Sequence, residues 1–185
     1  MFGLKAAQGA EPGQMITDFN PADRALIWQI VNDDVMGGVS TSRIEVGKDG
    51  IARFSGKLSL ENNGGFASVR SAGRLPDLAG HTMLVVRVKG DGRTYQLRLR
   101  MGTGGRAPDY RAEFPTKKGE WQEHRLALAD FVPTWRGQML DGLPPVDPAR
   151  IQSIGFLLAD KQPGAFALEI DWIRAESGET GSAGS

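Results

Sequence analysis

The chain has 185 residues, with 22 basic and 22 acidic side chains, two histidines and no cysteine. That length fits one domain whose core buries roughly 70% of the unfolded surface, enough to stand without covalent staples. A formal net charge of zero argues against a general nucleic-acid binder and a polybasic membrane binder. The missing cysteines exclude disulfides, thiolate nucleophiles, zinc–thiolate sites and iron–sulfur clusters, and His81 and His124 lack the short spacing of a histidine metal motif.

In chain order, residues 1–13 carry scattered glycines and no apolar h-region, so they read as a flexible lead-in without a secretory signal. No apolar run approaches the roughly 18 residues of a membrane helix. The expectation is a cytoplasmic protein with no direct membrane insertion. Met15 to Phe19 is a weak strand candidate. Asn20-Pro21-Ala22-Asp23 has a capping Asn, Pro at the first helical position and an acid three residues on, which predicts one short N-terminal helix running to Trp28. Ser42 to Val46 is a second weak strand. Ile51 to Leu60 alternates, with Phe54, Gly56, Leu58 and Leu60 on one face and Arg53, Ser55, Lys57 and Ser59 on the other. Asn62-Asn63-Gly64-Gly65 suits the positive φ of a tight turn, so Phe66 to Ser71 is expected to return as the second arm of a hairpin. Thr82 to Lys89 is apolar and β-branched, Asp91-Gly92 turns the chain, and Thr94 to Met101 returns it. Tyr95, Leu97, Leu99 and Met101 should share one face, opposite Gln96, Arg98 and Arg100. Asp109 to Phe114, Trp121 to Leu126, Ile151 to Leu158 and Ala165 to Arg174 complete about ten short strands, the pattern of an all-β sandwich or jelly roll. A helical turn is expected at Leu126 to Phe131, a long surface loop over Phe131 to Pro148, one domain over 14–176 and a disordered tail over 177–185.

Chemistry concentrates in a few places. Asn32-Asp33-Asp34-Val35-Met36-Gly37-Gly38-Val39-Ser40 is dense in polar groups and glycine. No Gly-Lys-Ser/Thr follows, so it is no phosphate loop. It reads either as a tight loop whose Asn32 or Asp33 caps backbone N–H groups, or as a ligand-contacting loop that is also structural. Residues 70–111 hold nine basic and three acidic side chains. If Arg87 and Lys89 share a face with Arg98 and Arg100, one sheet carries a basic stripe that Arg70 joins, suited to a carboxylate, a phosphate or an acidic partner. Cross-strand pairing with acids such as Glu113 is the plainer account. Asp18 and Asp171 would meet if the first and last strands pair, a potential calcium site. Trp28, Trp121, Trp135 and Trp172 could line a sugar platform, with Trp135 in the long loop the best exposed and Trp121 and Trp172 within strands. No triad or nucleophile elbow is visible, and Asp33 and Asp34 are the best acids an enzyme reading could use.

Trp28 to Ser40 (WQIVNDDVMGGVS), Phe54-Ser55-Gly56, Asn62 to Arg70 (NNGGFASVR), Lys89 to Tyr95 (KGDGRTY), Phe114-Pro115-Thr116, Gly119-Glu120-Trp121, Trp135-Arg136-Gly137 and Ile154-Gly155-Phe156 together resemble the complex I intermediate-associated protein 30 family, in order, over about Ile16 to Arg174. The resemblance implies a galactose-binding-domain-like jelly roll. It also implies a non-catalytic, chaperone-like factor associated with assembly of respiratory complex I, binding complex I subunits or assembly intermediates, with no cofactor and no metal. The residues expected to serve partner binding are Asn32, Asp33, Met36, Gly37, Gly38 and Ser40 in one loop, Asn63, Gly64, Gly65 and Phe66 in another, and Arg70, Arg98 and Arg100 nearby. Glycines would present backbone, Met36 an apolar contact and the arginines complementary charge. The alternative expectation is a carbohydrate- or small-molecule-binding β-sandwich module.

Overall fold

A computed structural model describes residues 13–102 and 107–178, the side chains of Val35 and Met36 excepted. The lead-in expected over 1–13 and the tail over 177–185 lie outside these residues, apart from Gly13, Ser177 and Gly178. Thirteen strands are described: β1 (Gln14–Thr17), β2 (Leu26–Ile30), β3 (Thr41–Val46), β4 (Ala52–Leu58), β5 (Ala67–Gly73), β6 (Met83–Lys89), β7 (Thr94–Met101), β8 (Asp109–Pro115), β9 (Trp121–Ala127), β10 (Val132–Trp135), β11 (Gln138–Met139), β12 (Ile151–Leu158) and β13 (Gly164–Glu176). They form two antiparallel sheets. The first runs β3-β4-β13-β6-β9, with β1 added against β13; the second runs β11-β10-β8-β7-β12-β5-β2.

Alternation dictates what lies between them. Phe54 and Leu58, Leu84, Val86 and Val88, and Phe166, Leu168 and Ile170 point inward from the first sheet. Val69, Tyr95, Leu97, Leu99, Tyr110, Phe114, Ile154 and Phe156 point inward from the second. These side chains make one core. Aromatic contacts cross it, as where Phe166 meets Tyr95 at 6.5 Å between ring centres. The architecture is a jelly-roll β-sandwich. In β13 a bulge between Ile170 and Trp172 shifts the register against β6, which lets one thirteen-residue strand pair β4 with its first half and β1 with its second.

Four local expectations are corrected. The Asn20-Pro21 signal makes a turn and no helix: the Asn20 side chain accepts from the Ala22 N–H at 3.0 Å, its carbonyl accepts from Asp23 N–H, and the chain then enters β2. Strand formation wins there because Leu26 and Trp28 bury against the core, Trp28 lying 5.4 Å from Phe19 and 6.4 Å from Phe156. The Asn62–Gly65 and Asp91–Gly92 turns are not hairpins. Asn62 and Asn63 do take φ of 54° and 58°, but the turn carries the chain from β4 in the first sheet to β5 in the second, and the Asp91 turn does the same from β6 to β7. The stretch after Phe131 is not one irregular loop, because β10 and β11 form a small hairpin within it; the helical turn expected before it is present at Leu128–Asp130. Finally, β1 and β13 do pair, but Asp171 accepts from Arg87 Nε at 3.0 Å and Asp18 accepts from the Asn20 N–H at 3.0 Å. Among the described residues no cluster of three or more metal-ligating side chains forms.

Candidate functional site

The two glycine-rich motifs meet around one carboxylate. Asp33 is fully buried. Its Oδ1 accepts from the Ser40 N–H at 3.1 Å, and its Oδ2 accepts from the Ser40 hydroxyl at 2.6 Å and the N–H groups of Gly65 at 2.8 Å and Phe66 at 3.3 Å. Burial pushes its pKa up, but the Ser40 hydroxyl and the Gly65, Ser40 and Phe66 amides outweigh burial and hold it below the ordinary carboxylate value. Gly38 and Gly64 are required by the same group: a Cβ on Gly38 would overlap the Asp33 side chain, and one on Gly64 would fall 2.6 Å from Oδ2. Asn32 sits beside it, its Oδ1 accepting from the Ser68 N–H at 3.2 Å and the Ser42 hydroxyl at 2.7 Å, which ties β2, β3 and β5 together.

This places most of the sequence-predicted loop residues. Asn32, Asp33, Gly38 and Ser40 are buried in a knot that joins the sheets, the backbone-capping role read from the sequence. Gly37 is exposed with φ of 84°, ending a short 3₁₀ turn. Asn63 is exposed, while Gly64, Gly65 and Phe66 are half-buried. The apolar contact expected of Met36 rests on a side chain outside the described set. Asp33 is engaged by four hydrogen-bond donors, and these hold its pKa below the ordinary carboxylate value.

A second knot lies at the Asp91 turn. Arg93 grips Asp160 with two bonds, Nε to Oδ2 at 2.8 Å and Nη2 to Oδ1 at 2.6 Å, and donates to the carbonyls of Gln162, Gly164 and Ala165. The buried Tyr95 hydroxyl donates to Asp91 at 3.0 Å.

The arginines separate. Arg87 and Lys89 lie on the outer face of the first sheet. Arg87 pairs with Asp171 and Glu123, Lys89 pairs with Glu169 at 2.5 Å, and both cover Trp121 at 5.3 and 5.2 Å. Arg98 and Arg100 lie on the second sheet, so the single stripe expected from consecutive strands does not exist: β6 and β7 belong to different sheets. Arg70 does join Arg98 and Arg100. Cross-strand partners share a face, and the register gives one row across the second sheet: Gln29, Arg70, Gly155, Arg98, Arg111, Val132. The adjoining row is Ser153, Arg100, Asp109, Thr134.

Asp109 is the anchor of this face. It meets Arg100 Nε at 3.0 Å, Arg98 Nη2 at 3.3 Å and Arg70 Nη2 at 3.5 Å. Arg98 also donates to Gln96, which in turn donates to Glu113. Arg111 lies 3.7 Å from Glu113. Burial lowers the pKa of Arg70 against the pull of Asp109, with Arg100 lowering it further, and burial lowers that of Arg98 too. Four arginines thus face two carboxylates. Asp109, Arg111, Gln96 and Gly155 were missed as site residues. The alternation of Arg98/Arg100 with Asp109/Arg111 on the next strand was the available signal.

The tryptophans are not a platform on this face. Trp28 packs inward, Trp121 and Trp172 are half-buried on the first sheet with cations over their rings, and Trp135 is half-buried under Arg136 at 5.8 Å.

Among solved structures the chain is similar to the family 11 carbohydrate-binding module of the cellulosomal cellulase Lic26A-Cel5E of Clostridium thermocellum, with a TM-score of 0.62 and 16% identity, covering 91% of this chain and 97% of that one. It is also similar to a family 29 carbohydrate-binding module, with a TM-score of 0.54 and 8% identity over 90% of this chain and 89% of that one. At these identities the likeness shows the fold. Among curated proteins it is 28% identical to the mitochondrial complex I intermediate-associated protein 30 of Mus musculus, over 88% of this chain and 56% of that protein. It is 27% identical to that of Drosophila melanogaster, over 89% of this chain and 64% of that protein. The chain therefore spans about half to two-thirds of the length of these relatives. The family described as complex I intermediate-associated protein 30 matches residues 17–170, motif loops and both knots included, and the chain belongs to that family.

Proposed function

We propose that this protein is a non-catalytic, chaperone-like assembly factor that holds a protein partner, a complex I subunit or assembly intermediate, on the outer face of its second sheet. The observation that carries the reading is the charge imbalance there: among the described residues, Arg70, Arg98, Arg100 and Arg111 stand against Asp109 and Glu113 on an antiparallel sheet. Rows of half-buried guanidinium groups are poorly explained by folding alone, since their partial desolvation costs stability that a partner's charges would repay. The relatives' names supply the assembly context. The two knots tie the loops at the sheet ends by hydrogen bonds and ion pairs.

The carbohydrate alternative has less support. Sugar sites combine stacking aromatics with a few polar groups. The described rows of this face carry arginines, Asp109, Glu113, Gln96, Gln29, Gly155, Ser153, Thr134 and Val132 and no aromatic side chain, with Tyr95, Tyr110, Phe114 and Phe156 turned into the core.

The test is genetic and biochemical. In a host that makes complex I, deleting the gene should lower the amount of assembled complex, and the wild-type chain should restore it. An Arg70→Gln, Arg111→Gln variant should restore it poorly and should capture fewer complex I subunits from detergent extracts. Undiminished assembly in the deletion strain would overturn the assembly reading.

A further inference from the structure

A sheet edge leaves a row of backbone N–H and C=O groups unpaired, and proteins guard such rows with short strands, bulges, prolines or charges. Among the described residues most edges are guarded. β11 has two residues, β1 has four and a bulge, β3 carries Arg43 and Glu45, and β9 carries Glu123 and Arg125. β2 is the exception. Leu26-Ile27-Trp28-Gln29-Ile30 has no charge, no proline and an unbroken register against β5. We infer that β2 is the seam of a two-fold dimer, pairing antiparallel with β2 of a second copy of this chain.

The register says which groups are on offer. Val31 N–H donates to the Ser68 carbonyl and the Ala25 carbonyl accepts from Arg74 N–H, so the odd-numbered residues of β2 bond toward β5. Leu26, Trp28 and Ile30 then point their N–H and C=O groups away from it, and no group among the described residues pairs with them. That set is symmetric about Trp28. A second β2 with Trp28 opposite Trp28 sets Leu26 against the second copy's Ile30 at both ends, and these pairs satisfy every outward group at once. The side chains agree. Leu26 and Trp28, with Ile44 and Val46 of β3, are inward residues of the last strand of each sheet. With Phe19 they line an open groove of about 410 Å³. Val46 is 44% exposed and Ile30 38% exposed. What covers this mouth must be β-prone, uncharged and apolar on its inner side, and the same edge of a second copy is all three. Arg24, exposed and without an ion pair among the described residues, precedes β2, and exposed Asp34 follows it, so antiparallel pairing brings opposite charges together at each end. A two-fold seam also closes on itself, which spares the chain from growing into a filament. The second sheets of the two copies join into one, with both arginine clusters on the same outer face.

The experiment follows the full chain by sedimentation velocity over a concentration series, with amide hydrogen exchange read residue by residue. A dimer is expected. Its Leu26, Trp28 and Ile30 amides should gain protection as concentration rises, while those of Ile27 and Gln29, bonded to β5, are protected throughout. Ile30→Pro removes an outward donor and spares the β5 ladder. It should weaken the dimer about tenfold or more, since a symmetric seam loses the bond twice. Ile30→Lys keeps the N–H but sets a charge on the apolar side of the seam, and it should weaken the dimer by a similar factor. Met139→Ser, at the opposite edge of the same sheet, should leave the dimer unchanged. Thermal unfolding checks that each variant folds; if Ile30→Pro does not, Ile30→Lys and the exchange pattern decide. A monomer at every concentration, a dimer indifferent to Ile30→Lys, or a dimer whose Leu26, Trp28 and Ile30 amides exchange freely would overturn the inference, as would equal weakening by Met139→Ser.

Discussion

Replacing Asp33 with alanine would remove the acceptor for four donors at once: the Ser40 N–H and hydroxyl, Gly65 N–H and Phe66 N–H. The Ser40 and Gly65 amides have the best backbone geometry, and a buried amide left unpaired costs roughly 1–3 kcal/mol. Taking about 1.5 kcal/mol for each of these two, and about 1 kcal/mol for the hydroxyl, gives a loss near 4 kcal/mol. For a chain of this size that lowers the melting temperature by about 8–16 °C. Asp33→Asn keeps the shape and one oxygen but turns an amide donor toward donors, so about half the loss is expected. The assay is urea unfolding followed by tryptophan fluorescence, at several pH values. Asp33 has a lowered folded pKa, so its contribution is fully present above the unfolded value of about 3.9 and is lost as pH falls through the folded value. The gap between wild type and Asp33→Asn should therefore be flat from about pH 5 to 8 and close only below about pH 4. A cost under about 1 kcal/mol for the alanine variant would refute the knot. Lost complex I capture without lost stability would move Asp33 into the binding surface.

Three further outcomes follow from the same geometry. Arg93→Lys should cost about 3 kcal/mol in chemical denaturation, because lysine cannot reproduce the two-pronged grip on Asp160, whose side chain is only 9% exposed. Gly155→Val should destabilise by about 1–3 kcal/mol, since its Cβ would press on the Val69 carbonyl and force β12 from β5. His124 faces inward against Phe114 at 5.1 Å with its buried Nε2 unpaired, and burial lowers its pKa. Protonation thus favours the unfolded chain: stability should fall as pH drops below about 6.5, by up to about 1.4 kcal/mol per pH unit, and His124→Leu should remove that slope.

Strand positions were legible because period-two alternation is a local property: Tyr95, Leu97 and Leu99 are buried and Arg98 and Arg100 outward, as their spacing requires. Sheet membership was not. Asn-Gly and Asp-Gly report where the backbone takes positive φ, and Asn62 and Asn63 do so, but a turn does not say which sheet the next strand joins. That is decided by long-range pairing, here β5 with β2 and β12, and β7 with β8 and β12. The basic stripe failed for this reason, and the arginine cluster survived only where Arg70 and Arg98 reach the same row through β12. The helix signal at Asn20 failed differently: the Asx turn satisfied the local hydrogen bonds, and burial of Leu26 and Trp28 in a sheet outweighed helix propensity.

A zero net charge describes the whole chain and hides how the charge is partitioned. On the first sheet one row reads Glu45, Arg53, Glu169, Lys89, Trp121, in which Glu169 bridges Arg53 at 3.2 Å and Lys89 at 2.5 Å while Lys89 covers Trp121. Each cation there meets an acid or an aromatic face, so the row is self-contained and leaves little for a partner. The second sheet has the opposite arrangement. Its one well-buried acid, Asp109, is divided among three arginines, and Arg111 has only a distant Glu113. Composition weighs against a general nucleic-acid binder or a polybasic membrane binder, a statement about the charge of the whole molecule. At the scale of a few strands, among the described residues, cross-strand register leaves more arginines than acids on the outer face of the second sheet, whereas Arg53, Glu169 and Lys89 balance along one row of the first.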